Sequence, residues 1–172
     1  MKHILRQVDI FYDLSDTQLE QMATICQPVS YNAGELIFQE NTASDEMYVV
    51  VRGAVEIQVD PAILGLDSPA SPGPTTIAIL HEGQVFGEVA LVDRGLRSAA
   101  AKCAARPTQL LLIKREDLMR LCEEDYQLGY QIMRNIATAL AFKIRGADLT
   151  VREQLLWQRP PSARLAPEGQ NS

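Results

Sequence analysis

Histidine is scarce in this sequence, with only His3 and His81 among 172 residues. Metal sites draw on several histidine, cysteine or carboxylate ligands that converge on one point, and two histidines this far apart do not supply such a set. Nucleophilic catalysis finds no support either, because Ser98 has no histidine near it in the sequence to serve as its base. We therefore expect no metal site, surface or loop positions for both histidines, and no enzymatic activity.

Paired cysteines and long apolar runs are also missing. Cys26, Cys103 and Cys122 are odd in number, widely spaced and free of any Cys-x-x-Cys motif, which is typical of small buried thiols in a reducing compartment. No apolar run reaches the ~18 residues needed to span a bilayer, and residues 1–13 lack the basic and apolar blocks of a signal peptide. The sequence thus predicts a cytoplasmic protein without membrane contact.

Basic residues are outnumbered, with 16 Lys and Arg against 22 Asp and Glu, and the net charge is −6. Duplex DNA is bound through many Lys and Arg contacts to its phosphates, so DNA is not an expected partner. The apolar content of 47% suffices for one substantial core and does not require a second domain. We place that one domain at residues 1–157, and we expect residues 158–172, which carry Pro160, Pro161 and Pro167, to be a disordered tail.

The pattern up to residue 114 divides into a helical and a β-rich part. In the lead-in, residues 1–28, helical spacing runs from Leu5 to Cys26, with an N-cap at Ser15 and one apolar face of Leu19, Met22 and Ile25. Residues 29–114 alternate short apolar segments with turns, and we expect strands at residues 35–38, 47–51, 54–59, 75–80, 98–105 and 108–114. The proline-rich segment 60–74 is predicted to be a mobile loop. The fold class is therefore mainly β with flanking α-helices, a double-stranded β-helix or jelly-roll barrel.

Helix returns in the C-terminal part, residues 115–157. Residues 116–124 form a short amphipathic piece. Residues 125–156 form a long one, with an apolar stripe of Leu128, Ile132, Ile136, Leu140 and Ile144. The stripe either packs on the barrel or, being longer than one barrel's diameter, pairs in part with a second copy of the chain.

The stretch from Gly83 to Ala99, GQVFGEVALVDRGLRSA, combines features that suit a small anion. Gly83 and Gly87 permit backbone turns that other residues resist. Residues 85–92 have the pattern of one apolar helical turn, whose first N–H groups carry partial positive charge. Arg97 adds a planar guanidinium able to give parallel hydrogen bonds to phosphate oxygens. Glu88 is an acceptor and needs a donor such as a sugar hydroxyl; an ordinary surface ion pair between Glu88 and Arg97 is the alternative.

This stretch resembles the phosphate-binding cassette of cyclic nucleotide-binding domains, in which Phe-Gly-Glu, a short apolar turn and a variable loop precede an arginine and a small residue. The resemblance extends over about residues 8–145 and includes the glycine-punctuated strands near Gly34 and Gly53. It departs from the family at Asn41, where glycine is common. Asparagine tolerates left-handed backbone, so we expect that turn to be preserved.

The resemblance implies a sensor of cyclic AMP, or in second place cyclic GMP, and a homodimer paired through the C-terminal helix. It implies a ligand-binding set of Phe86, Gly87, Glu88, Val89, Ala90, Arg97, Ser98, Ala99, Phe142 and Lys143, the last two near the base. Nothing like the family's helix-turn-helix follows Leu156, so we expect the signal to pass through the C-terminal helix to an effector protein. The alternative is a ligand-free interaction or dimerisation module with the same fold.

Overall fold

Two antiparallel sheets with flanking helices make up the chain in a computed structural model, which describes residues 1–64, 73–104 and 106–157. The strands are β1 Cys26–Tyr31, β2 Leu36–Phe38, β3 Glu46–Arg52, β4 Val55–Val59, β5 Thr75–Leu80, β6 Val85–Phe86, β7 Ala100–Cys103 and β8 Thr108–Lys114. The helices are α1 Lys2–Leu5, α2 Asp16–Ile25, α3 Val89–Asp93, α4 Arg115–Glu124 and α5 Tyr126–Trp157, with 3-10 turns at Asp9–Phe11 and Pro61–Leu64. The expected fold class is confirmed. Most of the predicted loop and the whole predicted tail lie outside the described residues.

The two sheets have the strand orders β1-β8-β3-β6 and β2-β7-β4-β5. Each sheet combines strands that are distant in the sequence, as expected for a jelly roll. Core side chains from both sheets form one buried cluster of Tyr48, Val50, Val55, Phe86, Ala101 and Leu110. The strands form two four-stranded sheets that are not closed into a barrel, and the architecture is a β-roll.

Helix α2 begins at the predicted cap. The Ser15 hydroxyl accepts from the Gln18 N–H at 3.2 Å, and the Gln18 side chain accepts from the Ser15 N–H at 3.0 Å, which is a capping box. The apolar face of Leu19, Met22 and Ile25 is buried, as predicted. The lead-in is not one helix, however, because Asp13 adopts a left-handed φ of +66° and separates α2 from the preceding turns.

The predicted helical turn over residues 85–92 is wrong in its first half. Val85 and Phe86 form β6, which pairs with Val49 and Tyr48 of β3. Gly87 then takes a φ of +75° and interrupts the chain before α3 begins at residue 89. A β-branched and an aromatic residue beside an unpaired strand edge favour a strand, and this tertiary pairing overrides the helical pattern. The β-rich part also begins earlier than predicted, since β1 starts at residue 26, inside the predicted helical lead-in. The strand predicted at residues 98–105 is shorter, with β7 at Ala100–Cys103.

The chain forms two compact units, residues 1–136 and residues 137–172, the second described as far as residue 157. Within the first unit, Leu128, Ile132 and Ile136 of the apolar stripe are buried. In the second, Leu140 is half-buried and Ile144 is 63% exposed. Across the part of the chain that the structure describes, no helix is long and apolar enough to cross a membrane.

Candidate ligand-binding site

A glycine turn after β6 begins the region that the sequence singles out. A Cβ atom on Gly87 would lie 2.5 Å from Nη1 of Arg97 and 3.0 Å from the carbonyl oxygen of Glu46. With the positive φ of this residue, these distances leave room for glycine alone. The turn therefore brings backbone directly against the guanidinium of Arg97.

The loop between β2 and β3 holds the backbone of Arg97 in place. The Arg97 carbonyl accepts from the N–H of Asn41 at 2.8 Å, and the Arg97 N–H donates to the carbonyl of Thr42 at 2.9 Å. Asn41 has a φ of +60°, so the left-handed turn predicted here is confirmed. Asparagine thus takes the conformation for which glycine is the usual choice.

The guanidinium of Arg97 is buried, and the residues that the structure describes leave its donors unused. The side chain is 3% exposed, and its Nη2 atom lies 3.6 Å from Oε1 of Glu46, an ion pair too long for a hydrogen bond. Its Cζ atom lies 4.0 Å from the ring centre of Phe38, within the range of a cation–π contact. Among the described residues, Nε, Nη1 and Nη2 have no hydrogen-bond partner. Because buried charge is costly unless it is paired and hydrogen-bonded, this cation is a candidate group for binding an anion.

Three aromatic rings form the wall behind the guanidinium. Tyr48 and Phe86 stack with their centres 5.1 Å apart, and the Phe38 ring is tilted against both, at 5.9 Å and 5.8 Å. Aromatic contacts of this kind favour defined ring orientations. The cluster therefore orients Phe38, and Phe38 in turn supports Arg97.

Ionisable groups around Arg97 have shifted pKa values. Burial raises the pKa of Glu46 above its usual 4.5, and a side-chain hydrogen bond with Asp45 raises it further, against the lowering effects of Tyr48 and Arg97. The same hydrogen bond is the main cause of the lowered pKa of Asp45. Burial lowers the pKa of Arg97 and raises that of Tyr48, whose hydroxyl donates to Oε1 of Glu46 at 3.0 Å. As the pH falls, Glu46 therefore takes up a proton before Asp45 does.

The predicted cassette residues lie together in the first unit. Glu88 is buried, with 2% of its surface exposed, and precedes α3. Ser98 is exposed and follows Arg97 in a bend. The remaining predicted members of this group are Phe86, Gly87, Val89, Ala90 and Ala99. Phe142 and Lys143 lie on α5 in the second unit, where the Phe142 ring is 66% exposed, and their part in the site stays a prediction.

Sequence reasoning missed three residues that surround the guanidinium: Phe38, Glu46 and Tyr48. Glu46 and Tyr48 are two apart on β3, and residues two apart share one face of a strand. A carboxylate on the same face as a core tyrosine was therefore a usable signal. No comparable pattern distinguishes Phe38 from other apolar strand residues.

The expected surface positions of His3 and His81 are confirmed, since both side chains are exposed. Within residues 1–64, 73–104 and 106–157, no cluster of three or more His, Cys, Asp or Glu side chains could hold a metal ion. The three cysteines are free thiols, and burial raises the pKa of Cys26 to about 12. A thiol with such a pKa stays protonated and unreactive.

The domain is a two-sheet β-roll in which a glycine turn lies against a buried arginine. The sequence profile of the family described as "Cyclic nucleotide-binding domain" matches residues 28–125, which is more than half of the chain. The chain belongs to the cyclic nucleotide-binding domain family, and the resemblance noted from the cassette is confirmed.

Relatives of the chain include a cyclic AMP receptor protein and a cGMP-dependent protein kinase. It is 29% identical over 140 residues to the cyclic AMP receptor protein of Thermus thermophilus, which covers 81% of this chain and 59% of that protein. It is 28% identical over 131 residues to cGMP-dependent protein kinase, isozyme 1, of Drosophila melanogaster, covering 72% of this chain and 16% of the kinase. The chain thus spans less than two thirds of the length of either relative.

Solved structures agree with this assignment. The Thermus thermophilus catabolite activator protein superposes with a TM-score of 0.70 at 28% identity, covering 85% of this chain and 62% of that one. A cyclic nucleotide-binding domain from Methylobacillus flagellatus gives a TM-score of 0.73 at 20% identity, covering 88% and 80%. At that identity the second structure supports the fold alone.

Proposed function

We propose that this chain is a cyclic nucleotide sensor that binds cyclic AMP, with cyclic GMP as the second candidate. The observation that carries the proposal is the buried guanidinium of Arg97, whose three nitrogens lack hydrogen-bond partners in the part of the chain that the structure describes. The two non-bridging oxygens of a phosphodiester match the guanidinium fork in geometry and charge. The family assignment supports the nucleotide. Relatives named for cyclic AMP and for cGMP leave the choice of base to experiment.

Each predicted site residue has a role in this proposal. Arg97 and Ser98 bind the phosphate, and Glu88 accepts from the ribose 2′-hydroxyl. Backbone groups of the turn complete the phosphate and sugar contacts, and α5 supplies the residues near the base. The set is that predicted from the sequence: Phe86, Gly87, Glu88, Val89, Ala90, Arg97, Ser98, Ala99, Phe142 and Lys143.

Binding has to move the groups that cover Arg97. Its guanidinium nitrogens have almost no contact with solvent, so a phosphate reaches them only when the Glu46 side chain or the turn at Gly87 shifts. A ligand changes a conformational equilibrium by its differential affinity for the two states. The buried arginine therefore supports a sensor that changes shape, as opposed to a rigid binding pocket.

Arg115 is positioned to transmit such a shift to the C-terminal helices. It is the first residue of α4, and its backbone N–H donates to the carbonyl of Asp45 at 2.7 Å. Its Nε donates to the carbonyl of Leu91 in α3 at 3.3 Å. Because Asp45 adjoins Glu46, a movement of β3 or of α3 beside Arg97 would change the hydrogen bonds that hold Arg115. We propose that α4 and α5 carry this movement to a partner protein, without enzymatic activity, in the cytoplasm.

Calorimetric titration of the full chain tests the proposed function. The ligands are cyclic AMP, cyclic GMP, 2′-deoxy cyclic AMP, a cyclic dinucleotide and a DNA duplex, at physiological salt. We expect cyclic AMP to bind most tightly and its 2′-deoxy form more weakly, because the donor for Glu88 is gone. We expect no binding of the duplex with or without cyclic AMP. Failure of every cyclic nucleotide to bind would leave the interaction module as the function of this fold.

Glu46→Gln is expected to raise the affinity for cyclic AMP about tenfold at neutral pH, or ~1.4 kcal/mol. The carboxylate lies 3.6 Å from Nη2 of Arg97 and competes with the phosphate for it. In the unchanged protein, affinity should rise as the pH falls through the pKa of Glu46, which lies above 4.5, because the neutral acid no longer pairs with the cation. Titrations between pH 4.5 and pH 7.5 measure both effects.

Glu124→Gln is the control for the Glu46 prediction, since Glu124 is an exposed carboxyl group at the end of α4, and it should change neither the affinity for cyclic AMP nor its pH dependence. Tyr48 also faces Glu46 but stays protonated, because its pKa is raised. A pH dependence of the same size in the Glu46→Gln variant would contradict the assignment to Glu46.

Hydrogen exchange tests the route to the C-terminal helices. We expect cyclic AMP to protect backbone amides of residues 86–92 and also of α5, because both close on the ligand in the proposed bound state. Arg115→Ala should leave binding in place but reduce the protection of α5. Arg120→Ala removes an exposed arginine of the same helix, which pairs with Asp117, and should change neither. Protection confined to residues 83–99 in the unchanged protein would rule out α5 as the relay.

We also propose that the chain forms a homodimer through the outer end of the apolar stripe. Since Ile136 is only 1% exposed within the first unit, a charge there would disturb folding, and Ile144 is the better test position. Ile144→Glu should convert a dimer to a monomer at tens of micromolar in light scattering. Leu149→Glu is the matched control, since Leu149 is an equally exposed residue, at 61%, off the stripe. A monomeric unchanged protein would refute the pairing.

A further inference from the structure

A second cavity lies at the far end of β3 from Arg97. It has a volume of about 720 Å³ and lies where the turns at Gly53, His81 and Arg106 meet. β3 begins at Glu46, which pairs with Arg97, and ends at Arg52, which lines the cavity. A strand of seven residues spans about 20 Å. The cavity is therefore separate from the proposed nucleotide site.

The floor of this cavity is rigid. Thr108 is fully buried, and its hydroxyl donates to the carbonyl of Ala54 at 3.0 Å and accepts from the Ala54 N–H at 3.3 Å. Gly53 has a φ of +97°, and a Cβ there would lie 2.6 Å from Oγ1 of Thr108. Such close packing holds the turn in one conformation. Contacts within the chain therefore fix the Gly53 side of the cavity.

Positive charge is concentrated around this floor. Arg52 and Arg106 line the cavity, against one acidic residue, Glu82. Neither arginine side chain makes an ion pair or a hydrogen bond with another residue that the structure describes. In a chain of net charge −6, two unpaired guanidinium groups around one cavity create a local positive potential that attracts anions. Guanidinium forks bind phosphate and carboxylate groups in pairs of hydrogen bonds.

We propose that this cavity is a second ligand site, which takes a small molecule with at least two negative charges between Arg52 and Arg106. Its volume falls in the range of about 300–1,000 Å³ that is usual for small-molecule sites. The negative charges of this ligand belong to phosphate or carboxylate groups. The site neither uses Arg97 nor depends on the proposed nucleotide function.

NMR titration of the full chain with pyrophosphate and, separately, with citrate tests this proposal at about 150 mM salt, where surface attraction is screened. We expect saturable shifts of the Gly53, Ala54 and Thr108 amides with at least one of the two anions. Binding of pyrophosphate but not citrate would identify the anionic groups of the ligand as phosphates. Binding of citrate but not pyrophosphate would identify them as carboxylates. The double variant Arg52→Gln, Arg106→Gln should weaken binding at least tenfold, and it should keep the fold because both side chains are exposed.

Arg120→Gln removes a charge from an exposed arginine elsewhere and should leave the anion affinity unchanged. Arg97→Ala should also leave it unchanged, which separates this proposal from the nucleotide site. Three results would overturn the proposal. The shifts could spread evenly over all exposed basic residues, binding could fail to saturate with either anion, or the double variant could bind with equal affinity.

Discussion

Arg97→Ala should weaken cyclic AMP binding by about a hundredfold or more. Hydrogen bonds to charged groups contribute roughly 1.5–3 kcal/mol each, and a factor of ten corresponds to ~1.4 kcal/mol. The guanidinium nitrogens are unpartnered among the described residues, so two new bonds to the phosphate are available. Calorimetry on the folded variant measures the loss, with circular dichroism to check the fold.

Two variants make the Arg97 result specific. Arg97→Lys keeps the charge but not the planar fork, and it should recover only part of the affinity. Arg94→Gln removes a positive charge from an exposed residue three positions earlier in the same loop and should have little effect. An unchanged dissociation constant in Arg97→Ala would remove this residue as the phosphate ligand.

Gly87→Ala is expected to abolish most of the binding and to lower stability. The left-handed conformation at φ +75° costs roughly 1–2 kcal/mol for a residue with a side chain. The added Cβ would meet Nη1 of Arg97 at 2.5 Å and the Glu46 carbonyl at 3.0 Å. The backbone of β3 cannot move easily, so the guanidinium is displaced. We expect an affinity loss comparable to that of Arg97→Ala, measured by calorimetry, together with a lower melting temperature.

Gly34→Ala is the matched control, because Gly34 has nearly the same φ, +78°, and no atom within 4 Å of its would-be Cβ. Gly34→Ala should lower stability by the backbone cost alone and leave the affinity for cyclic AMP unchanged. If both alanine variants bind equally well, close packing of Gly87 against Arg97 has no role in the site.

Local patterns were sufficient for much of the fold. The predicted strands at residues 75–80 and 108–114 coincide with β5 and β8, and the cap at Ser15 starts α2. Alternating apolar residues, prolines, glycines and capping groups act over a few neighbouring residues, so the sequence displays them directly. The error at residues 85–92 arose where pairing with a distant strand, β3, decided the conformation.

The cassette was also visible in the sequence, because its glycines, Glu88 and Arg97 lie within one continuous stretch. The groups around the guanidinium were not, since Phe38 and Glu46 come from other strands and meet Arg97 only after folding. The periodicity likewise does not reveal how much of the apolar stripe of α5 is buried. The stripe is buried as far as Ile136, and that limit depends on packing.

The sequence by itself therefore determined the family and the β-rich class, and it predicted the cassette residues, because each rests on local spacing and residue chemistry. Only the tertiary structure decided that Arg97 is buried, with donors that no described residue uses, and that Glu46 is the carboxylate beside it. It also decided that Arg52 and Arg106 line a second cavity at the other end of β3. Burial, competition between charges and the shape of a cavity are properties of residues brought together in space, and sequence separation carries little information about them.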